Sequence, residues 1–279
     1  MKALIIDEVY EGISRELGKY MTVDTKMLPT QEELANLIGE YDVLIMRVDP
    51  AINKEILDAA KNLKVIGVCS VGLNHIDLDA AKAKGIQVFN APGMNGNAVA
   101  ELTLAKMLEL SRHTIPADRD VTIDKHWDKY RFVGRELRGK TLGILGFGRI
   151  GQRVGELGRA FLMNVVAYDP FLPAHVFEEQ HAQSLSIAEV LRVSDFVTIH
   201  MPLTDETRHM FNAESLASMK PDAVVLNMAR GGIVDEKAMY QALKAGKIGG
   251  YATDVMENEL AVGGLTEGAS FDSPLFECD

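Results

Sequence analysis

Cysteine is nearly absent: there are two, Cys69 and Cys278, in 279 residues. They form no CxxC and no zinc-ligand set, so neither a disulfide framework nor a metal site is expected. No apolar run reaches the roughly 18 residues that span a bilayer. The opening MKALIIDEVY carries too short an apolar stretch, and no small-residue cleavage site, to read as a secretory signal. Positive charge is in deficit, with 29 Lys and Arg against 40 Asp and Glu, a net of -11. That balance argues against nonspecific binding to nucleic acid or to an anionic membrane. An anionic small substrate would therefore have to be captured by local positive groups. There is no fixed-period repeat, no low-complexity segment and no flexible linker. What is present is an ordinary globular composition, 47% hydrophobic and 25% charged, in a length that suits two domains. A cytoplasmic protein is expected.

Short apolar runs alternate with helix-like stretches. KALIID (2–7), DVLIM (42–46), LKVIGV (63–68) and IQVFN (86–90) read as strands. Between them, TQEELANLIGE and NKEILDAAKN carry apolar residues at helical spacing, with Thr30 and Asn53 as N-caps. This is a βαβ series and implies a parallel sheet. A longer helix, 97–112, can bridge two domains. A second series follows: KTLGILGFG (140–148), NVVAYD (164–169), DFVTIHM (195–201), DAVVLNM (222–228) and IGGYATDV (248–255), separated by four helical stretches. The fold class expected is α/β, with two doubly wound parallel-sheet domains, over residues 1–97 and 98–279.

GILGFGRIG places Gly146, Gly148 and Gly151 in GxGxxG spacing, after an apolar strand and at the opening of a helix. The first glycine permits a tight turn, the second lets backbone approach a pyrophosphate, and the third lets helix and strand pack closely. Arg149 and Ile150 belong to the same turn. Asp169 ends the next strand, where a carboxylate can accept from both ribose hydroxyls and repel a 2′-phosphate; no arginine follows it. NAD is expected over NADP. A glycine turn in some other α/β protein is the competing reading. A second stretch, VVLNMARGGIVDE (224–236), sets Arg230 at a strand's C-terminal end before two glycines. A surface loop could use any polar residue, whereas an arginine held there suggests a grip on an anion.

With these motifs in order, the sequence resembles the D-isomer-specific 2-hydroxyacid dehydrogenases, and within them the 3-phosphoglycerate, glyoxylate and hydroxypyruvate group. SVGLNHIDL (70–78), NAPGMNGNAVAEL (90–102), GRELRGKTLGILGFGRIG (134–151), HMPLTDETRHM (200–210), NMARGGIVDE (227–236) and TDVMENE (253–259) carry the resemblance over nearly the whole chain. It implies a flavodoxin-like substrate domain with an inserted Rossmann NAD domain. It also implies hydride transfer between nicotinamide and C2 of a 2-keto or 2-hydroxy acid, usually in a homodimer built around the NAD domains.

Residue by residue, the resemblance makes Arg230 the catalytic arginine, whose planar fork a lysine cannot reproduce, and Glu259 the acidic partner of a histidine. An adjacent carboxylate raises that histidine's pKa and readies it to donate a proton. Read alone, Glu259 is a solvated charge, and Leu260 stands where the family has proline. Val71 and Gly72 are expected to offer backbone N–H groups to the substrate carboxylate, with Asn74 ordering their loop. Arg47 is either substrate-facing or a surface residue at a strand end. His200, Pro202, Thr207, Met228, Ala229 and Asp254 are expected on the cofactor side, Asp254 facing the carboxamide. Cys69 reads as a small buried residue.

The chain departs from the family at FDSPLFECD, after which the family continues through a strand to Thr-Pro-His and a final helix. None of the seven histidines fits that block. The expectation is a C-terminally truncated dehydrogenase whose acid histidine lies beyond residue 279, with weak or no activity. The alternative is a non-catalytic NAD(H)-binding sensor or interaction protein on the same fold.

Overall fold

A computed structural model describes residues 1–257 and 272–278. The chain forms two compact units, one of Met1–Asn95 and one that begins at Gly96.

In the first unit, β1 (Lys2–Ile5), β2 (Thr22–Thr25), β3 (Val43–Met46), β4 (Val65–Val68) and β5 (Gln87–Phe89) make a parallel sheet in the order β2-β1-β3-β4-β5. This is the flavodoxin-like order, in which the chain reverses direction across the sheet between β1 and β3. Both faces are covered. Leu4, Leu44, Met46, Ile66 and Val68 pack with α2 (Gln31–Leu37), α3 (Lys54–Ala59) and α4 (Leu78–Ala83). Ala3, Ile5, Val43 and Ile45 pack with Ile13 and Leu17 of α1 (Gly12–Leu17). Burial on both sides is why these strands read as continuous apolar runs. The Thr30 and Asn53 caps form as expected, Thr30 as a full capping box with Glu33, each contributing about 1 kcal/mol. β2 is absent from the sequence reading for a physical reason. It is an edge strand, TVDT, with no buried position, so it carries no apolar signal.

In the second unit, β6 (Thr141–Leu145), β7 (Asn164–Tyr168), β8 (Gln183–Ser184), β9 (Phe196–Ile199), β10 (Val224–Asn227) and β11 (Gly250–Thr253) form a parallel sheet in the order β11-β10-β9-β6-β7-β8. Numbered from β6, this is the 3-2-1-4-5-6 order of the dinucleotide-binding fold, with its switch point between β6 and β9. One face packs α5 (Gly96–Arg112) and α7 (Arg149–Ala160) against Leu142, Ile144, Val224 and Leu226. On the same side, Phe147 stacks on Phe177 of α8 (Ala174–Glu179) at 5.2 Å. The other face packs α9 (Ile187–Val193), α10 (Ala213–Ala217) and α11 (Glu236–Lys244) against Leu145, Val197, Ile199 and Val225.

The sequence pattern does not predict the two-residue edge strand β8 or the helix α8. Nor does it predict α6 (Thr114–Thr122), which left-handed His113 (φ 51°) separates from α5. No helix among the described residues is long and apolar enough to cross a membrane.

Candidate functional site

In a doubly wound sheet the carboxyl ends of the strands converge on the switch point, and there the polar backbone is left for a ligand. In the second unit the residues singled out from the sequence follow the carboxyl ends of β6, β7, β9, β10 and β11. The glycine turn after β6 has three different constraints. Gly146 sits at φ +90°, and a Cβ there would meet the His200 carbonyl oxygen at 2.6 Å. A Cβ on Gly151 would run into the Gly146 carbonyl, so helix and turn touch through backbone. A Cβ on Gly148 would meet nothing within 4 Å. The space beside the helix N-terminus is open, and Gly148 caps α7 without a side-chain bond. A twelve-residue helix with that end open presents partial positive charge to an anion.

Asp169, one residue past β7, accepts from Phe147 N at 2.9 Å with one oxygen and from Phe171 N at 3.0 Å with the other. Its carboxylate is thus fixed beside the glycine turn, with acceptor capacity left over.

His200 ends β9. Its Nε2 lies 2.9 Å from Thr198 Oγ1, while Nδ1 is buried without a partner among the described residues. Burial pushes its pKa down to about 3, so the ring is neutral at physiological pH. Beyond it, Thr207 Oγ1 donates to the Pro202 carbonyl at 2.8 Å and accepts from Thr204 N at 2.8 Å. Thr207, expected on the cofactor side, also ties its own loop together through these bonds.

β10 runs into Met228, Ala229 and Arg230. Met228 is buried and Arg230 exposed. Buried Asn227, which the sequence reading passed over, sets the turn. Its Nδ2 donates to the Arg230 carbonyl at 2.9 Å and its Oδ1 accepts from Ala229 N at 3.2 Å. The signal was an amide closing an otherwise apolar strand. Its carbonyl also accepts from Asp254 N at 3.1 Å, which places exposed Asp254 beside the turn. Arg230 Nη1 donates to the Ala229 carbonyl at 2.7 Å, and its other donors have no partner among the described residues. Glu259 lies outside the described residues.

In the first unit, Val71, Gly72 and Asn74 follow β4, and Arg47 follows β3. The amides of Val71 and Gly72 have no acceptor among the described residues. Asn74, expected to order this loop, is exposed and makes no side-chain hydrogen bond among the described residues. Ser70 and Asn90 do that work instead. Ser70 Oγ donates to the carbonyls of Arg47 (2.9 Å) and Gly72 (3.2 Å), and Asn90 Nδ2 donates to that of Val71 (2.7 Å). Asp7 Oδ2 accepts from the backbone N–H groups of Arg47, Val48 and Asp49. Exposed Arg47 borders a cavity of about 560 Å³ together with Asp7, Tyr10 and Thr25. The cysteines are free and half-buried, and burial raises the Cys69 thiol pKa, which fits a packing role.

A family model described as the NAD binding domain of D-isomer specific 2-hydroxyacid dehydrogenases matches residues 104–279. The chain is 43% identical over 260 residues to D-3-phosphoglycerate dehydrogenase of Methanocaldococcus jannaschii, covering 93% of this chain and 49% of that protein. It therefore spans about half the length of such relatives. It is 41% identical to hydroxypyruvate reductase of Thermotoga maritima, covering 82% of this chain and 74% of that one. Among solved structures it is similar to D-lactate dehydrogenase of Aquifex aeolicus complexed with NAD and lactic acid (TM-score 0.81, 33% identity, covering 96% of this chain and 82% of that one).

Proposed function

The chain belongs to the D-isomer specific 2-hydroxyacid dehydrogenase family, and from that premise we propose an NAD-dependent oxidoreductase that interconverts a small 2-keto acid and its D-2-hydroxy acid. The observation that carries this reading is Arg230. It is an exposed guanidinium with uncommitted donors, on a turn fixed by Asn227, at the same rim of the sheet as the open glycine turn.

The residues present fit NAD. The space at Gly148 and the uncapped α7 N-terminus suit a pyrophosphate, and the Asp169 carboxylate suits ribose hydroxyls. When bound, the nicotinamide supplies or takes up the hydride at C2. Arg230 holds the carboxylate and keto oxygen in a planar fork and offsets the negative charge that develops on that oxygen. The Val71 and Gly72 amides are assigned to the carboxylate, as charge-assisted hydrogen bonds. His200, neutral and with Nδ1 sealed off, does not move the proton. Glu259 is assigned to orient a protonating histidine.

A homodimer through the NAD-binding unit is part of the proposal. The segment after α5 exposes Ile115, Ile123, Trp127, Tyr130 and Val133, each at 60–84%, a concentration of apolar surface of the sort that self-association covers. It has a defined shape because buried Asp120 pairs with Arg131 and His126. Two free cysteines support a cytoplasmic location.

The test is NADH oxidation with glyoxylate, hydroxypyruvate, pyruvate and phosphohydroxypyruvate. Turnover with at least one is expected from a chain that includes the protonating histidine. Arg230→Lys should lower kcat/KM by about 10²–10³-fold and leave NADH affinity within about threefold. Equal activity of the two proteins would sink the assignment of Arg230.

A further inference from the structure

An arginine that grips a reacting oxygen must be placed to within about 1 Å, because a larger error costs about 10²-fold in rate. Arg230 cannot place itself. Two glycines follow it, the most conformationally free residues, and among the described residues its side chain bonds only to the adjacent Ala229 carbonyl. The turn must be held from outside, and Asn227 holds only its start.

Two further segments hold the rest. On one side, Gly231 lies directly on the peptide joining Met256 and Glu257, so closely that a Cβ would overlap that peptide. On the other, His209 N donates to the Gly232 carbonyl at 2.9 Å and Phe211 N to that of Ile233 at 3.1 Å. The two segments are joined to each other: His209 Nε2 is hydrogen-bonded to Glu257 Oε1. The Glu257 end is anchored in turn, because Glu257 N donates at 2.7 Å to Glu236, a carboxylate only 7% exposed. The other oxygen of Glu236 accepts from Ser273 Oγ at 2.6 Å. His209 also has left-handed backbone (φ 50°), a region that non-glycine residues seldom occupy. Such conformations persist where surrounding contacts over-determine them, and they concentrate at functional sites.

We infer that His209 and Glu257, anchored by Glu236, are positioning residues for Arg230, closing a brace across the glycine pair that carries it. This rests on the dehydrogenase reading for its effect on catalysis, though not for the brace itself. His209 is assigned no proton transfer. Its effect passes through the arginine.

The experiment uses the full chain, with His209→Ala, Glu257→Ala, the double variant, and Glu257→Gln, which keeps an oxygen for His209. Two readouts are taken. Amide hydrogen exchange over residues 228–234 should quicken about tenfold or more in either alanine variant while β6 and β9 keep wild-type protection. In turnover, kcat should fall about 10–100-fold with NADH affinity within about threefold. The double variant should be no worse than the worse single, since both remove one brace, and Glu257→Gln should recover most of the rate. Unchanged exchange at 228–234 in folded variants overturns the inference. So does a fall in melting temperature with kcat intact, or additive losses in the double variant. Should wild type oxidise NADH with none of the keto acids even when the protonating histidine is present, the dehydrogenase reading fails, and the exchange readout still decides whether the pair holds the turn. If an alanine variant does not fold, His209→Gln and Glu257→Met, which leaves no oxygen to pair with position 209, take its place in the same two measurements.

Discussion

The rims of the two sheets solve one problem by different means. Both are carboxyl ends of parallel strands, and both must hold loops open to a ligand. In the second unit backbone lies directly against backbone at three points, Gly146 under His200, Gly151 on Gly146 and Gly231 on the 256–257 peptide, with side chains such as Asn227 and Asp169 added to them. In the first unit the loops are held by short polar side chains reaching to backbone. Asp7 gathers three N–H groups, and Ser70 and Asn90 fix three carbonyls. Close backbone approach demands glycine at fixed spacing. Side-chain bracing leaves the spacing free.

The contrast is sharpest at Gly146. Gly146→Ala puts a Cβ at φ +90° and 2.6 Å from a carbonyl oxygen. A loss of about 2–4 kcal/mol in unfolding free energy is expected, with NADH binding abolished, as read by denaturant titration and fluorescence. A cost under about 0.5 kcal/mol would mean the turn is as tolerant as the loops of the first unit.

Next in size is a pH effect carried by His200. Its pKa is lowered to about 3 in the folded chain, from an ordinary 6.5. Between those values the unfolded chain binds a proton that the folded one does not. Stability is therefore complete above about pH 6.5 and falls as pH drops toward 3, with a slope of up to about 1.4 kcal/mol per pH unit from this residue. His200→Gln should flatten the curve of unfolding free energy between pH 6.5 and 4. An unchanged slope would assign the acid sensitivity to other groups.

The smallest effect belongs to the first unit. Ser70→Ala removes one donor shared by two carbonyls, worth about 1 kcal/mol. The KM for the keto acid should rise severalfold, with NADH affinity unmoved. A change in NADH affinity instead would break the division of labour between the two rims.

The same contrast decides how much could be read from the sequence. Both sheets were legible in their central strands, where burial on two faces writes apolar runs such as VLIM and VVLN. The edge strands β2 and β8 were not, because TVDT and QS bury nothing. Of the site, Gly146, Gly148, Gly151 and Asp169 announced themselves through spacing. Val71, Gly72 and Arg47 came from resemblance alone, since an open amide has no residue signature. The supporting layer went unseen: Asn227, Ser70, Asn90, and the His209–Glu257 pair, whose members stand far apart in the chain. Asn74 and Thr207 rest on family blocks, and a block fixes a position without saying what its polar atoms face.

The strand order has a consequence in time. β6 pairs with β7, its neighbour in the chain, and also with β9, so that Leu142 meets Phe196 only after α7, β7, β8 and α9 have been made. Pairings that close so long a stretch form late. Until β9 docks, the glycine turn lacks the strand end that carries His200, whose carbonyl shapes it. A folding chain thus acquires its dinucleotide crevice at the pairing that closes the longest stretch of this sheet, and a ligand bound there stabilises only molecules that have already passed that step. NADH in the refolding buffer should accordingly raise the yield of folded chain while leaving the rate of the earliest steps untouched.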